Sequence, residues 1–253
     1  MPPLRLFVLA LLALPGTAVA QETAPLATDR PGFLFSSLTV DRGVLQAELG
    51  LPSVTLDDAD GIETRATSLV GLLRFGVIEN LEIRLGSPVY TDSRTDSGTG
   101  DLEVGAKWHL LDNAGGRPSL ALLPSVILPT GDDGFTAGDP VYQLLAALEW
   151  ALADGWGLAG LAGFLDGPSA NDRFFQQTWA LSLGRALRSP AWSAYGEVAH
   201  VTTDLKGAAD ASFFGGGVKY LISNDFQLDL SFDRGLTKDA PDWLLGAGLS
   251  ARF

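Results

Sequence analysis

The sequence predicts an all-β fold, a transmembrane antiparallel up-and-down β-barrel of about twelve strands. Three observations predict it. Residues 43–253 alternate apolar with polar or small residues in segments of about ten. The connections between those segments alternate short and long. Finally, 46% of the residues are hydrophobic, yet beyond the N-terminal leader no run reaches the roughly 18 apolar residues of a membrane-spanning helix. A chain that faces lipid without such a helix must satisfy its backbone polar groups between strands, and a closed barrel does so.

The elements follow in chain order. "MPPLRLFVLALLALPGTAVAQ" carries Arg5, an apolar run from Leu6 to Leu14 and the small-residue pattern Ala18-Val19-Ala20, the features of a secretory signal peptide cleaved after Ala20. Residues 21–42 do not alternate cleanly and are read as either a periplasmic lead-in or a segment tucked into the lumen, in which case Arg30 and Phe33 are plug residues. The barrel domain then occupies residues 43–253, with strands expected at 44–52, 63–77, 81–90, 101–111, 118–129, 140–152, 156–165, 174–187, 191–202, 212–222, 225–234 and 243–253. "NLEIRLG" is the cleanest: Leu81, Ile83 and Leu85 share one face, and Glu82, Arg84 and Gly86 the other.

Short connections fall at 78–80, 112–117, 153–155, 188–190 and 223–224, and long polar ones at 53–62, 91–100, 130–139, 166–173, 203–210 and 236–242. That asymmetry, with short turns in the periplasm, belongs to Gram-negative outer-membrane barrels. Tyr90, Trp108, Trp150, Trp156, Trp179, Trp192, Tyr220 and Trp243 lie mostly near strand ends, where amphipathic rings suit the headgroup layer. Phe253 ends a strand that can pair with the first, near Leu45 to Leu51, and close the barrel. A terminal aromatic on an alternating strand also resembles the signal that such proteins present to the outer-membrane assembly machinery.

Several stretches together, "TDRPGF" (28–33), "GVLQAELG", "LLRFGVIENLEIRLG", "GDLEVGAKWHLL", "LLPSVILPTG" and the final Phe253, resemble the outer-membrane transporter family labelled MetA-pathway of phenol degradation. The resemblance covers most of residues 28–253. It implies a barrel that carries small molecules, aromatic compounds among them, and it supplies no catalytic residues.

Taking the polar face as inward gives candidate lumen and selectivity residues: Glu48, Arg74, Glu82, Arg84, Glu103, Lys107, His109, Glu149, Glu197, Lys219, Asp229, Asp233 and Arg252. Opposite charges on neighbouring strands are expected to pair, Lys219 with Asp229 and Asp229 with Arg252 among them. They line either a selective path or a filled polar core.

Other functions are narrowed by composition. One of 17 basic residues, Arg5, lies in the leader, so the remainder carries 16 basic against 30 acidic residues, and nucleic acid is not an expected partner. The chain has no cysteine, which removes disulfides, thiolate nucleophiles and Cys-ligated metals. No cofactor is expected. Acidic loops at 57–61 and 130–134 lack calcium-loop spacing, and they offer at most cations shared with lipopolysaccharide phosphates. The expected partners are therefore outer-membrane lipid and lipopolysaccharide, the assembly machinery and a small-molecule substrate. Alternatives are an envelope-structural or adhesion barrel that transports nothing, or a lipid hydrolase, for which His200 with Thr202 or Ser212 is the candidate pair.

Overall fold

The computed structural model describes residues 24–59, 62–169, 172–205 and 207–253, so the expected leader lies outside the described residues. Its strands are β1 (Leu45–Ala59), β2 (Ile62–Ile78), β3 (Leu81–Asp92), the two-residue β4 (Ser97–Gly98), β5 (Leu102–Leu111), β6 (Ser119–Leu128), β7 (Val141–Ala151), β8 (Trp156–Ser169), β9 (Asp172–Ala186), β10 (Trp192–Thr203), β11 (Ala211–Ser223), β12 (Phe226–Gly235) and β13 (Trp243–Arg252). Apart from β4, which hangs on the end of β3, each strand pairs antiparallel with its neighbours in the chain. β13 returns to β1, from Gln46↔Arg252 to Leu56↔Trp243, so twelve strands close into a barrel. Beyond the ladder, Phe253 donates its N–H to Leu45 O (2.8 Å) and accepts from Leu45 N (3.4 Å).

Burial is inverted relative to a water-soluble sheet. On β3, Glu82 and Arg84 are 0% and 5% exposed, while Ile83 and Leu85 are 47% and 41% exposed. β12 repeats this with Asp229 and Asp233 buried and Leu228, Leu230 and Phe232 exposed. Apolar side chains on the outside suit lipid, and charges inside are possible only because they find partners there. Aromatic rings gather at both rims. Trp192 and Tyr220 pack as a tilted pair, ring centroids 4.6 Å apart, at the short-turn end, and Trp243 lies under the Arg234 guanidinium at the other.

Short turns join strands at one end, for example Glu79–Asn80, where Asn80 takes a left-handed φ of 67°. At the opposite end two expected loops are largely strand: the β1–β2 ladder runs to Ala59↔Ile62 and the β8–β9 ladder to Ser169↔Asp172. The reason is that these extensions outreach the apolar band. With both faces polar, hydrophobic alternation stops while hydrogen-bonded pairing continues.

Asp101 pins the loop between β6 and β7, accepting from the amides of Thr130 (3.0 Å), Gly131 (2.8 Å) and Ala137 (2.8 Å). Burial alone would raise its carboxyl, but the Ala137, Gly131 and Thr130 amides outweigh it and hold the group below the usual carboxylate range. Asp101→Ala is expected to loosen this loop by about 1–3 kcal/mol, seen as faster hydrogen exchange at those three amides, with the barrel ladder unaffected.

Candidate functional site

The lumen holds part of the chain itself. Residues 24–42 enter at the short-turn end, where Leu26 N bonds Asn224 O in the β11–β12 turn, and leave at the same end, where Arg42 bridges Gly76 of β2. Between these feet the segment is bonded to inward side chains around the wall. Arg30 donates to Asp229 (3.3 Å) and Ala247 O (3.0 Å), and Phe33 N to Glu197 Oε2 (3.0 Å). Ser37 N bonds Glu149 (2.8 Å), and Val40 N bonds Glu82 (2.8 Å). The segment has no alternation because its contacts surround it on every side, so no single face is apolar.

Six charges form its main anchor. Arg74, Arg84 and Lys107 face Asp29, Glu48 and Glu82, so three cations meet three carboxylates. Arg74 is 0% exposed and reaches Glu82 from Nε (2.7 Å), Glu48 from Nη1 (2.9 Å), and the backbone oxygens of Ala27 (2.7 Å) and Leu38 (2.9 Å). Lys107 Nζ bonds Asp29 at 2.6 Å, and Arg84 pairs with the same carboxylate. Burial would raise the Asp29 carboxyl, but the Arg74, Lys107 and Arg84 charges override it and hold it far below the usual range.

A depressed folded value fixes the sign of the pH dependence. The stabilisation from Asp29 is complete above its ordinary value of 3.8 and is lost only as pH falls through the lower folded value. Acidification from neutrality to about pH 4 is therefore expected to leave the Asp29 anchor intact. Protease protection of residues 24–42 across that range checks this, and release at about pH 5 would contradict it.

The remaining candidates are placed as follows. His109 Nδ1 donates to Ser37 O (2.8 Å), and its Nε2 lies 2.9 Å from Asp112. Lys219 is in register with Asp229, but Asp229 is bonded to Arg30 instead. Glu103 faces Gly86, nearer the long-loop end and apart from the six-charge group. Arg252 departs from expectation. It bonds Asp225 and Ala24 O at the short-turn rim rather than approaching Asp229, because alternation gives a residue its face but not its height along the barrel. Of the acidic loops, residues 60 and 61 lie outside the described residues, and Asp132 holds Thr99 through N (2.7 Å) and Oγ1 (3.0 Å). His200 Nδ1 meets Ser212 Oγ at 2.9 Å; each is the register partner of the other.

One part of the interior was not visible in the alternation. The inward faces of β6–β11 carry Ala121, Leu123, Leu145, Ala147, Leu161, Ala180, Ala199 and Phe213, with Phe33, Leu34 and Phe35 of the inserted segment packed on them. Phe33 and Phe213 rings lie 5.1 Å apart. Below this apolar wall a cavity of about 520 Å³ remains between the segment and β5–β11, bordered by Leu34, Phe35, Glu149, Ser182, Tyr195 and Lys219 among others.

A barrel with an inserted N-terminal segment and a half-apolar lumen can now be compared with known proteins. Residues 28–253 match the family described as "Putative MetA-pathway of phenol degradation". The chain belongs to this family. The match begins at Thr28, the residue that bonds Gln227 in the lumen, so it takes in the inserted segment as well as the strands. No curated protein matches the chain. Among solved structures, the COG4313 outer membrane channel from Pseudomonas putida F1 is 19% identical with a TM-score of 0.63, over 88% of this chain and 99% of that one. The NanC porin is 9% identical with a TM-score of 0.57, over 82% and 98%. The translocator domain of the autotransporter NalP from Neisseria meningitidis is 14% identical with a TM-score of 0.52, over 85% and 90%. These likenesses establish the outer-membrane β-barrel fold.

Proposed function

We propose that this protein is an outer-membrane channel for small apolar molecules, aromatic ones included, and that residues 24–42 are its plug. The observation that carries the reading is the apolar inner wall of β6–β11 with Phe33, Leu34 and Phe35 seated on it. Packing the tip on this wall stabilises the inserted segment, and once the segment moves the same lining offers apolar molecules a path. The family and the channel fold of the solved relatives support the same reading.

The test is entry into proteoliposomes, comparing a phenyl glucoside with sucrose, two neutral solutes that bilayers exclude. Faster entry of the phenyl glucoside is expected, because its ring can slide along the apolar wall while its sugar stays wet. Equal rates would remove the apolar preference, and no entry of either would favour a barrel without transport.

The hydrolase reading rests on the His200–Ser212 contact, which lies on the lipid-facing side beside Trp179. A catalytic pair also requires a group that orients the imidazole and donors for the oxyanion. Lysophospholipid release that disappears in Ser212→Ala would establish it. The channel reading expects release no greater than from protein-free vesicles.

A further inference from the structure

Six buried side-chain polar atoms among the described residues lack a hydrogen-bond partner: Arg30 Nε, Tyr195 Oη, Glu197 Oε1, Asp229 Oδ2, Asp233 Oδ1 and Ser250 Oγ. All sit on the β10–β13 wall or on the one arginine of the inserted segment that leans on it. Most buried polar groups in native proteins are satisfied, so such a concentration calls for a partner, an ordered water or an ion, at this wall. Arg30 accounts for part of it, since its guanidinium lies where a Cβ on Gly248 would have to go and its Nη2 holds one oxygen of Asp229.

Glu197 and Asp233 have no such partner. They stand in one row of the sheet, Glu197↔Gly215↔Asp233. Gly215 in the middle has no side chain, and Asp233 Oδ1 fills the position of its absent Cβ, so the two carboxyl groups lean together across β11. They are close enough to share a proton when one is neutral, and with both ionised neither can donate to the other. They are 2% and 3% exposed, and no ion pair reaches either among the described residues. The Tyr195 hydroxyl, also unbonded, lies over the next row at Gly217 with Glu197, Asp233, Asp229 and Arg30 as its charged neighbours.

Lys219 and Arg30 act on this cluster from a distance without forming an ion pair to Glu197 or Asp233, and two ionised carboxylates this close repel unless a proton or a cation lies between them. We propose that Glu197 and Asp233, with the Tyr195 hydroxyl, bind a hydrated divalent cation of the calcium or magnesium class inside the barrel. The donors are all oxygen, which selects a hard cation over a transition metal. Their joint charge calls for two positive charges. Two carboxylates converge here rather than a full cage, so water completes the shell, as suits magnesium or a loosely held calcium. The second oxygen of Glu197 accepts from Phe33 N, so the same ion steadies the residue that grips the apolar tip of the inserted segment. The site stands independently of whether the barrel conducts.

Terbium serves as the probe, because nearby aromatic residues sensitise its luminescence. The full-length mature protein, refolded in micelles after chelator treatment, is titrated with terbium and then with calcium. Saturable luminescence displaced by calcium is expected, with affinity about tenfold or more weaker in Glu197→Gln and in Asp233→Asn and unchanged in the loop variant Asp132→Asn. Binding that survives both lumen substitutions, or that is lost in Asp132→Asn, would overturn the proposal. Absence of binding would overturn it as well, and would mean that the carboxyl pair holds a proton between its oxygens. Should the variants fail to refold, anomalous scattering from terbium-soaked crystals of the unaltered protein decides: a peak between Glu197 and Asp233 supports the site, and peaks only elsewhere exclude it.

Discussion

Deletion of residues 21–40 is expected to raise single-channel conductance in planar bilayers several-fold. The barrel does not depend on the segment for closure, since the β1–β13 ladder starts at Gln46 and runs through main-chain bonds. What the deletion removes is mass from the lumen, including Ser37 and Asp29, which are 0% and 4% exposed, and the three-residue apolar tip. It also removes one of three carboxylates from the anchor, leaving Arg74, Arg84 and Lys107 against Glu48 and Glu82. Arg30 leaves with Asp29, so the wall keeps Glu48, Glu82, Glu149, Glu197, Asp229 and Asp233 against Arg74, Arg84, Lys107 and Lys219, and the opened pore should favour cations over anions. Heat-modifiable gel mobility verifies that the shortened chain refolds. A refolded barrel with unchanged conductance would mean that the lumen is closed elsewhere, and the non-transporting reading would replace the channel.

Arg74→Met should be the most destabilising single substitution in the lumen, costing about 3–5 kcal/mol in urea unfolding from micelles. Arg74 is the hub on which Glu48 and Glu82 both depend, and its loss leaves two buried carboxylates short of their partner. It also frees the backbone oxygens of Ala27 and Leu38, one on either side of the apolar tip, so the segment loosens together with the wall. The double variant Arg74→Met/Glu82→Met is expected to cost less than the single one, because no carboxylate is then stranded at that position. A double variant as unstable as the sum of its parts would show that packing volume, rather than uncompensated charge, is what Arg74 supplies.

Where one face of a strand is charged and the other apolar, the sequence already gives the orientation, as in "NLEIRLG" on β3 and "DFQLDLSFD" on β12. Charge identifies the inward side there because only the lumen can satisfy it. The middle strands lack that cue. "LALLPSVIL" and "GLAGLAGFL" are apolar or small on both faces, since one side meets lipid and the other the apolar half of the lumen, so alternation does not reveal which residues line the path. For residues 21–42 the sequence leaves lead-in and lumen plug both open for a different reason: the segment is neither strand nor helix, and its partners, from Glu48 to Ala247, are about two hundred residues apart in the chain, a separation that local pattern does not encode. Arg252 was misplaced because period two fixes a side and says nothing of depth.

The two feet of the inserted segment share one mouth of the barrel, Leu26 beside Asn224 and Arg42 beside Gly76. The segment is thus a bight of chain pushed in from one side, not a strand threaded through. It can be drawn out as a single loop by the mouth through which it entered, without any residue passing the far rim and without unzipping the seam between β1 and β13. Its anchored foot continues into β1, so a withdrawn loop stays tethered and can return. On the channel reading, a barrel built this way is occluded and cleared without unfolding, which a threaded chain would not permit.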